Sequence, residues 1–112
     1  MTRTEMLARL QQVCNQEPFE VELNNFYIYV LLDPTTHEVR YIGKSKNINK
    51  RLATHISALY KHTHKENWIR SLKLQHQTPI ILAIWSADNE QTIIKNEMEF
   101  IELAKLLKIN LT

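Results

Sequence analysis

Glu97 lies four residues after Ile93 and four before Ile101, on the apolar stripe of a helical pattern near the end of the chain. A carboxylate there needs a cation opposite it or must stay protonated, because stripping its water costs several kcal/mol. Three roles fit: half of a buried salt bridge, a stripe edge reaching solvent, or a ligand for Mg²⁺, an ion that takes few protein carboxylates and keeps its waters. A second group is phenolic. Tyr27 and Tyr29 share one face of an aromatic and β-branched run, and Tyr41 stands on the run that follows, just before the only glycine, Gly43. Such a gathering brings hydroxyls to one place, for core packing or for proton transfer. The third group is cationic. Arg51 and His55 are one helical turn apart near the core side of a helix, with Lys44, Lys46 and Lys50 clustered at its start. Unpaired N–H groups at a helix N-terminus already attract phosphate, and arginine suits two-pronged phosphate contact. His64 is a further candidate for substrate contact, whereas His37, His62 and His76 read as loop residues. No histidine shares a zinc-ligand spacing with a cysteine.

These side chains need elements to hold them. Met6, Leu7, Leu10, Val13 and Cys14 predict a helix over residues 3–15, ended by Pro18. Cys14 reads as a small apolar residue of that helix. Residues 26–32 and 39–42 read as two strands of a β-hairpin around Asp33-Pro34-Thr35-Thr36-His37. Ile48, Leu52, Ile56 and Leu59 mark a helix from Asn47 to about Lys61, capped by Ser45 or Asn47. Trp68, Ile69 and Leu72 mark another, near Lys65–Gln75. After Pro79, Ile80–Trp85 reads as a strand buried on both faces. Asp88 with Gln91 forms a capping-box-like start for a last helix, whose stripe is Ile93, Ile94, Phe100, Ile101, Ala104 and Leu107. The expected architecture is α+β, a small three-stranded, mostly antiparallel sheet flanked by helices, with an extra N-terminal helix. Residues 1–24 read as a helical extension and 25–112 as the domain proper.

Composition narrows the function further. At 112 residues, 44% hydrophobic and 23% charged, the chain fits one globular domain and not a disordered one. A net charge of +2 permits a nucleic-acid partner only if the cations are clustered. A single cysteine excludes an internal disulfide, and with no secretory leader the chain reads as cytoplasmic. No apolar run approaches the ~20 residues of a membrane span. One glycine excludes a glycine-rich nucleotide cradle and implies that the backbone at Gly43 needs a shape that only glycine allows.

With these residues in hand, the chain resembles the GIY-YIG nuclease family. Tyr27-Ile28-Tyr29 stands at the first motif and Tyr41-Ile42-Gly43 at the second. Arg51, His55, Glu97 followed by Phe100-Ile101, and Asn110 follow in family order, so the likeness spans about residues 26–112. Tyr27 departs from the family by replacing a glycine. Relatives also usually carry a separate DNA-binding domain, which this sequence does not show.

The resemblance implies a DNA endonuclease, with Glu97 holding Mg²⁺ or Mn²⁺ and Arg51 neutralising charge on the phosphoryl oxygens. It implies Tyr29 as the base for the attacking water, with Tyr41 as orienting or substituting partner, the two roles being interchangeable. Cations around the phenol would favour the phenolate. Lys44 and His55 would help to hold the phosphate or relay the proton, and Lys46, Lys50, His64 and Asn110 would contact substrate. Two rivals stand beside this reading. One is a nucleic-acid-binding module without turnover. The other is a subunit whose N-terminal helix exposes Leu7, Leu10 and Val13 to a protein partner that supplies DNA specificity. The form of nucleic acid, RNA or DNA, and the oligomeric state are left open.

Overall fold

The computed structural model describes residues 2–112. Its elements run α1 (Arg3–Cys14), β1 (Phe26–Leu32), β2 (Val39–Ser45), α2 (Ile48–Ser57), α3 (His64–Leu74), β3 (Ile80–Ala87) and α4 (Glu90–Leu106). The strands form one antiparallel sheet in the order β2-β1-β3, so the expected α+β architecture with an N-terminal helix is what the chain adopts.

Alternation along β1 divides the interior in two. Ile28, Val30 and Leu32 point to one face, where Met6, Leu10 and Val13 of α1 and Ile93, Phe100, Leu103 and Ala104 of α4 close over them. Tyr29 and Leu31 point to the other, under Trp68, Ile69 and Leu72 of α3 and the half-buried Ile48 and Leu52 of α2. A bulge in β3 between the partners of Ile28 and Tyr29 leaves Ile84 as the extra residue. Both Ile84 and Trp85 then join the α1/α4 core, where Trp85 meets Phe100 edge to face at 5.4 Å.

α1 is a structural part of this core. Thr2 and Glu5 form a reciprocal capping box at its start, and Leu10 is fully buried. The apolar face that a recruiting helix would expose is therefore occupied, with Leu7 packed against the same cluster. Cys14, expected as an apolar helix residue, is exposed at the helix end.

Several boundaries differ from the sequence expectations for local reasons. β2 continues through Gly43 to Ser45, so Gly43 lies in the ladder and not in a turn. Asn47, not Ser45, caps α2. That helix stops at Ser57, and the guanidinium of Arg70 takes up the carbonyls of Leu59 and Lys61 beyond it. The cap of α4 is Asn89, whose side chain accepts from the Thr92 N–H at 2.8 Å, which leaves Asp88 and Gln91 outside any capping box. Ile94 turns to solvent. β3 is an edge strand, so Ile80 is exposed and Ile81 and Leu82 are only half-buried, instead of covered on both faces.

Three helices end alike. Gln16, His76 and Lys108 follow the caps of α1, α3 and α4 with φ of 56°, 58° and 58°, the left-handed conformation usually given to glycine. In each case the next residue's N–H reaches back to a carbonyl of the last turn, Gln12, Leu72 and Ala104 respectively.

Candidate active site

The site is built where β1, β2, α2 and α3 meet. Tyr29 opposes Gly43 across the β1–β2 ladder, and its side chain is fully buried. A Cβ placed on Gly43 would stand 2.5 Å from the Tyr29 hydroxyl oxygen and 2.6 Å from Cζ. The glycine is thus required for close approach of a phenol, not for backbone conformation, since its φ is not positive. Tyr41, two register pairs away opposite Leu31, leans on the same face, with ring centroids 6.3 Å apart.

α2 presents His55 to these rings. The residue is almost fully buried, and its Nε2 lies 2.6 Å from the Tyr29 hydroxyl oxygen. Its ring meets Tyr29 and Tyr41 edge-on at 5.9 and 5.3 Å. Burial pushes the imidazole pKa down to about 4, with the charges of Lys65 and Arg51 acting in the same direction and Glu66 opposing them. His55 is therefore neutral at pH 7 and able to accept the phenolic proton. Burial also pushes the Tyr29 phenol up to about 12, against the pull of Arg51, with the neighbouring Tyr41 phenol and then the Glu97 carboxylate adding to the rise. Desolvation outweighs the guanidinium, so the protein's own cations do not by themselves hold Tyr29 as the phenolate. Tyr41 is raised for the same first reason.

Arg51, one turn before His55, is exposed and stands beside the Tyr29 phenol, which holds the guanidinium charged. Glu97 reaches the site from α4, on the other layer, around the edge strand β2. It is a stripe-edge carboxylate, with a side chain 22% exposed and Oε1 3.6 Å from Nζ of Lys44. Of the three roles the sequence allowed, the burial is that of a rim group and the immediate partner is a lysine. Its donor set suits a hard, oxygen-loving ion. Among the described residues no cluster of three acidic, histidine or cysteine side chains forms. One carboxylate reaching water fits Mg²⁺ or Mn²⁺, whose remaining positions go to water and phosphate, and does not fit a zinc cage.

Other predicted contacts lie further out. Lys46 sits over the Phe26 ring at 5.2 Å, and Lys50 is exposed on the first turn of α2. His64 and Asn110 come together in a separate polar groove with Arg40, Asn67, Trp68 and Thr112. Among the described residues no hydrogen bond joins either to Tyr29, His55 or Glu97. Tyr27, standing where a glycine was expected, accepts a hydrogen bond from the Asn24 N–H at 2.8 Å and so fixes the approach to β1.

One neighbour was not foreseen. Lys65 lies with Nζ 4.9 Å from the Tyr41 ring centroid and is half-buried. Its trace in the sequence is faint: a lysine in the first turn of a helix, the end where a cation is disfavoured.

The surrounding charge is sorted by layer. Nine of the fourteen Lys and Arg residues, but only one of the twelve Asp and Glu, fall between Arg40 and Lys73, the segment that makes β2, α2 and α3. The acids concentrate in the 17–22 segment and α4, so the +2 net charge conceals a strongly basic half beside an acidic one.

A phenol hydrogen-bonded to a buried imidazole, an exposed guanidinium beside it and a rim carboxylate are thus gathered at one place. The family model for the GIY-YIG catalytic domain matches residues 25–110. The chain belongs to the GIY-YIG nuclease family. No curated protein and no solved structure matches it.

Proposed function

We propose that the protein is a divalent-metal-dependent DNA endonuclease in which Tyr29 and His55 form the proton path. The observation that carries this reading is the 2.6 Å contact between the Tyr29 hydroxyl and His55 Nε2 inside a buried ring cluster. A phenol held near 12 is a poor base alone, but it need not ionise first. As it takes the proton of the attacking water, it passes its own to the imidazole, so no free phenolate accumulates. Tyr41 packs both rings and limits their motion.

Arg51 binds the scissile phosphate and offsets charge growing on its oxygens, an effect of several kcal/mol at such sites. Glu97 would hold Mg²⁺ or Mn²⁺, which supplies Lewis acidity toward the phosphate and the leaving oxygen. Lys44, whose Nζ lies 3.6 Å from that carboxylate, would contact the substrate backbone. Lys46 and Lys50 extend the cationic rim, and His64 and Asn110 contact nucleic acid beyond the cleaved bond. The catalytic unit is residues 25–112, with residues 1–24 as a stabilising extension.

The test is cleavage of supercoiled plasmid and of single-stranded and branched oligonucleotides with Mg²⁺, Mn²⁺ or EDTA. Cutting that needs metal and disappears in Glu97→Ala and Tyr29→Phe is the expected result. Metal-independent cutting, or wild-type binding without cutting on every substrate, would sink the proposal.

A further inference from the structure

We infer that Lys65 is a positioning residue of the site: seated on the face of Tyr41, its ammonium holds off protonation of His55 as the pH falls, so that Nε2 stays open to the Tyr29 hydroxyl further into acid. The contacts form one continuous chain. Lys65 Nζ lies 4.9 Å from the Tyr41 centroid, Tyr41 meets His55 at 5.3 Å, and His55 Nε2 is 2.6 Å from the Tyr29 oxygen.

A lysine is out of place at this point of α3 unless something else holds it. Thr63 caps the helix, so Lys65 is its second residue, where the helix dipole repels a cation. Partial burial disfavours its charge as well. The stacked phenol ring supplies the compensating attraction. A residue that breaks a local rule at a site has a role there as the simplest account.

The groups around His55 settle which role. β1 contributes Tyr29 and β2 contributes Tyr41, both with raised pKa and uncharged at neutral pH. α2 contributes Arg51, and α3 contributes Lys65 and Glu66. Glu66 is the one group favouring a charged imidazole, and its carboxylate is engaged by the Lys61 N–H at 3.0 Å and the Thr63 hydroxyl at 3.0 Å. After burial itself, Lys65 is the largest influence against protonation. Arg51 is exposed to substrate, and a phosphate bound there cancels part of its repulsion. Lys65 is the more sheltered of the two cations and acts whether or not the site is filled.

This inference rests on the Tyr29–His55 proton path, and its test does not require cleavage. The imidazole signals of the full chain are titrated by NMR, with His55 assigned by its loss in His55→Gln. Wild type, Lys65→Met, Lys65→Gln and Lys65→Arg are compared. Methionine keeps the packed stem and hence the burial of His55, so only charge is removed. The expected result is an upward move of the His55 titration by at least about half a unit in Lys65→Met and Lys65→Gln, and none in Lys65→Arg. An unmoved His55 in both neutral variants overturns the inference, as does an equal move in Lys65→Arg. In cleavage assays the acid limb of the rate profile should move up with the titration. A shifted titration in a protein that never cuts DNA would retain the electrostatic role of Lys65 and remove the nuclease reading instead.

Discussion

Gly43 faces Tyr29 across the hairpin, and the phenol fills the space where any other residue would carry its side chain. The single glycine of the chain is thus a steric complement to one tyrosine. In Gly43→Ala the new methyl meets the ring carbon Cζ at 2.6 Å, so Tyr29 must leave its place beside His55 or the strands must part. The expected cost is about 2 kcal/mol of stability, with cleavage lowered at least ~100-fold. Urea denaturation and initial cleavage rates measure the two effects. A variant with native stability and full activity would mean that the ring does not depend on that gap.

Removing the Glu97 carboxylate separates stability from function. Its partner Lys44 is well exposed, so the ion pair contributes little to folding. Glu97→Gln should unfold within about 0.5 kcal/mol of wild type yet lose roughly a thousandfold in metal-supported cleavage. Comparable losses of both would reassign the residue to the core of α4.

His55 links stability to pH with a definite sign. Its ordinary value is about 6.5, and in the folded protein it lies near 4. Between these values the unfolded chain binds a proton that the folded chain does not. The contribution is therefore fully present above about 6.5 and is lost as pH falls through about 4, by on the order of 2 kcal/mol. Denaturation at pH 7 and pH 4.5 in wild type and His55→Phe tests this. The wild type should lose more stability on acidification than the variant, and parallel losses would contradict it.

The left-handed residues after α1, α3 and α4 give a structural prediction independent of the site. A side chain in that conformation costs about 1–2 kcal/mol, of which the greater freedom of unfolded glycine returns part. Gln16→Gly, His76→Gly and Lys108→Gly should each stabilise the fold by a few tenths to about 1 kcal/mol, read as midpoint shifts in urea. Destabilisation at all three would show that these side chains make contacts worth more than the strain.

How far the sequence could lead depended on the range of the forces involved. The apolar periodicity of β1 and α4 follows from local geometry, and it was legible. The types of Tyr29, Arg51, His55 and Glu97, and their family order, pointed to the chemistry. What the sequence could not carry was non-local. Whether the Tyr29 phenol is raised or lowered depends on how deeply α2 and α3 cover it, and burial won over the nearby charge. Lys65 meets Tyr41 across 24 positions of chain, a contact that no periodicity announces. Gly43 was marked as exceptional by its rarity, but its reason lay on the neighbouring strand. The α4 cap moved from Asp88 to Asn89, a one-residue ambiguity between two good capping residues.

The sorting of charge between the two helical layers makes the molecule an electric dipole that its small net charge hides. A polyanion more than a few Debye lengths away, each about 8 Å in physiological salt, is barely felt. At closer range the field acts as a torque, turning the β2–α2–α3 side inward and the acidic side of α4 and the 17–22 segment outward before contact.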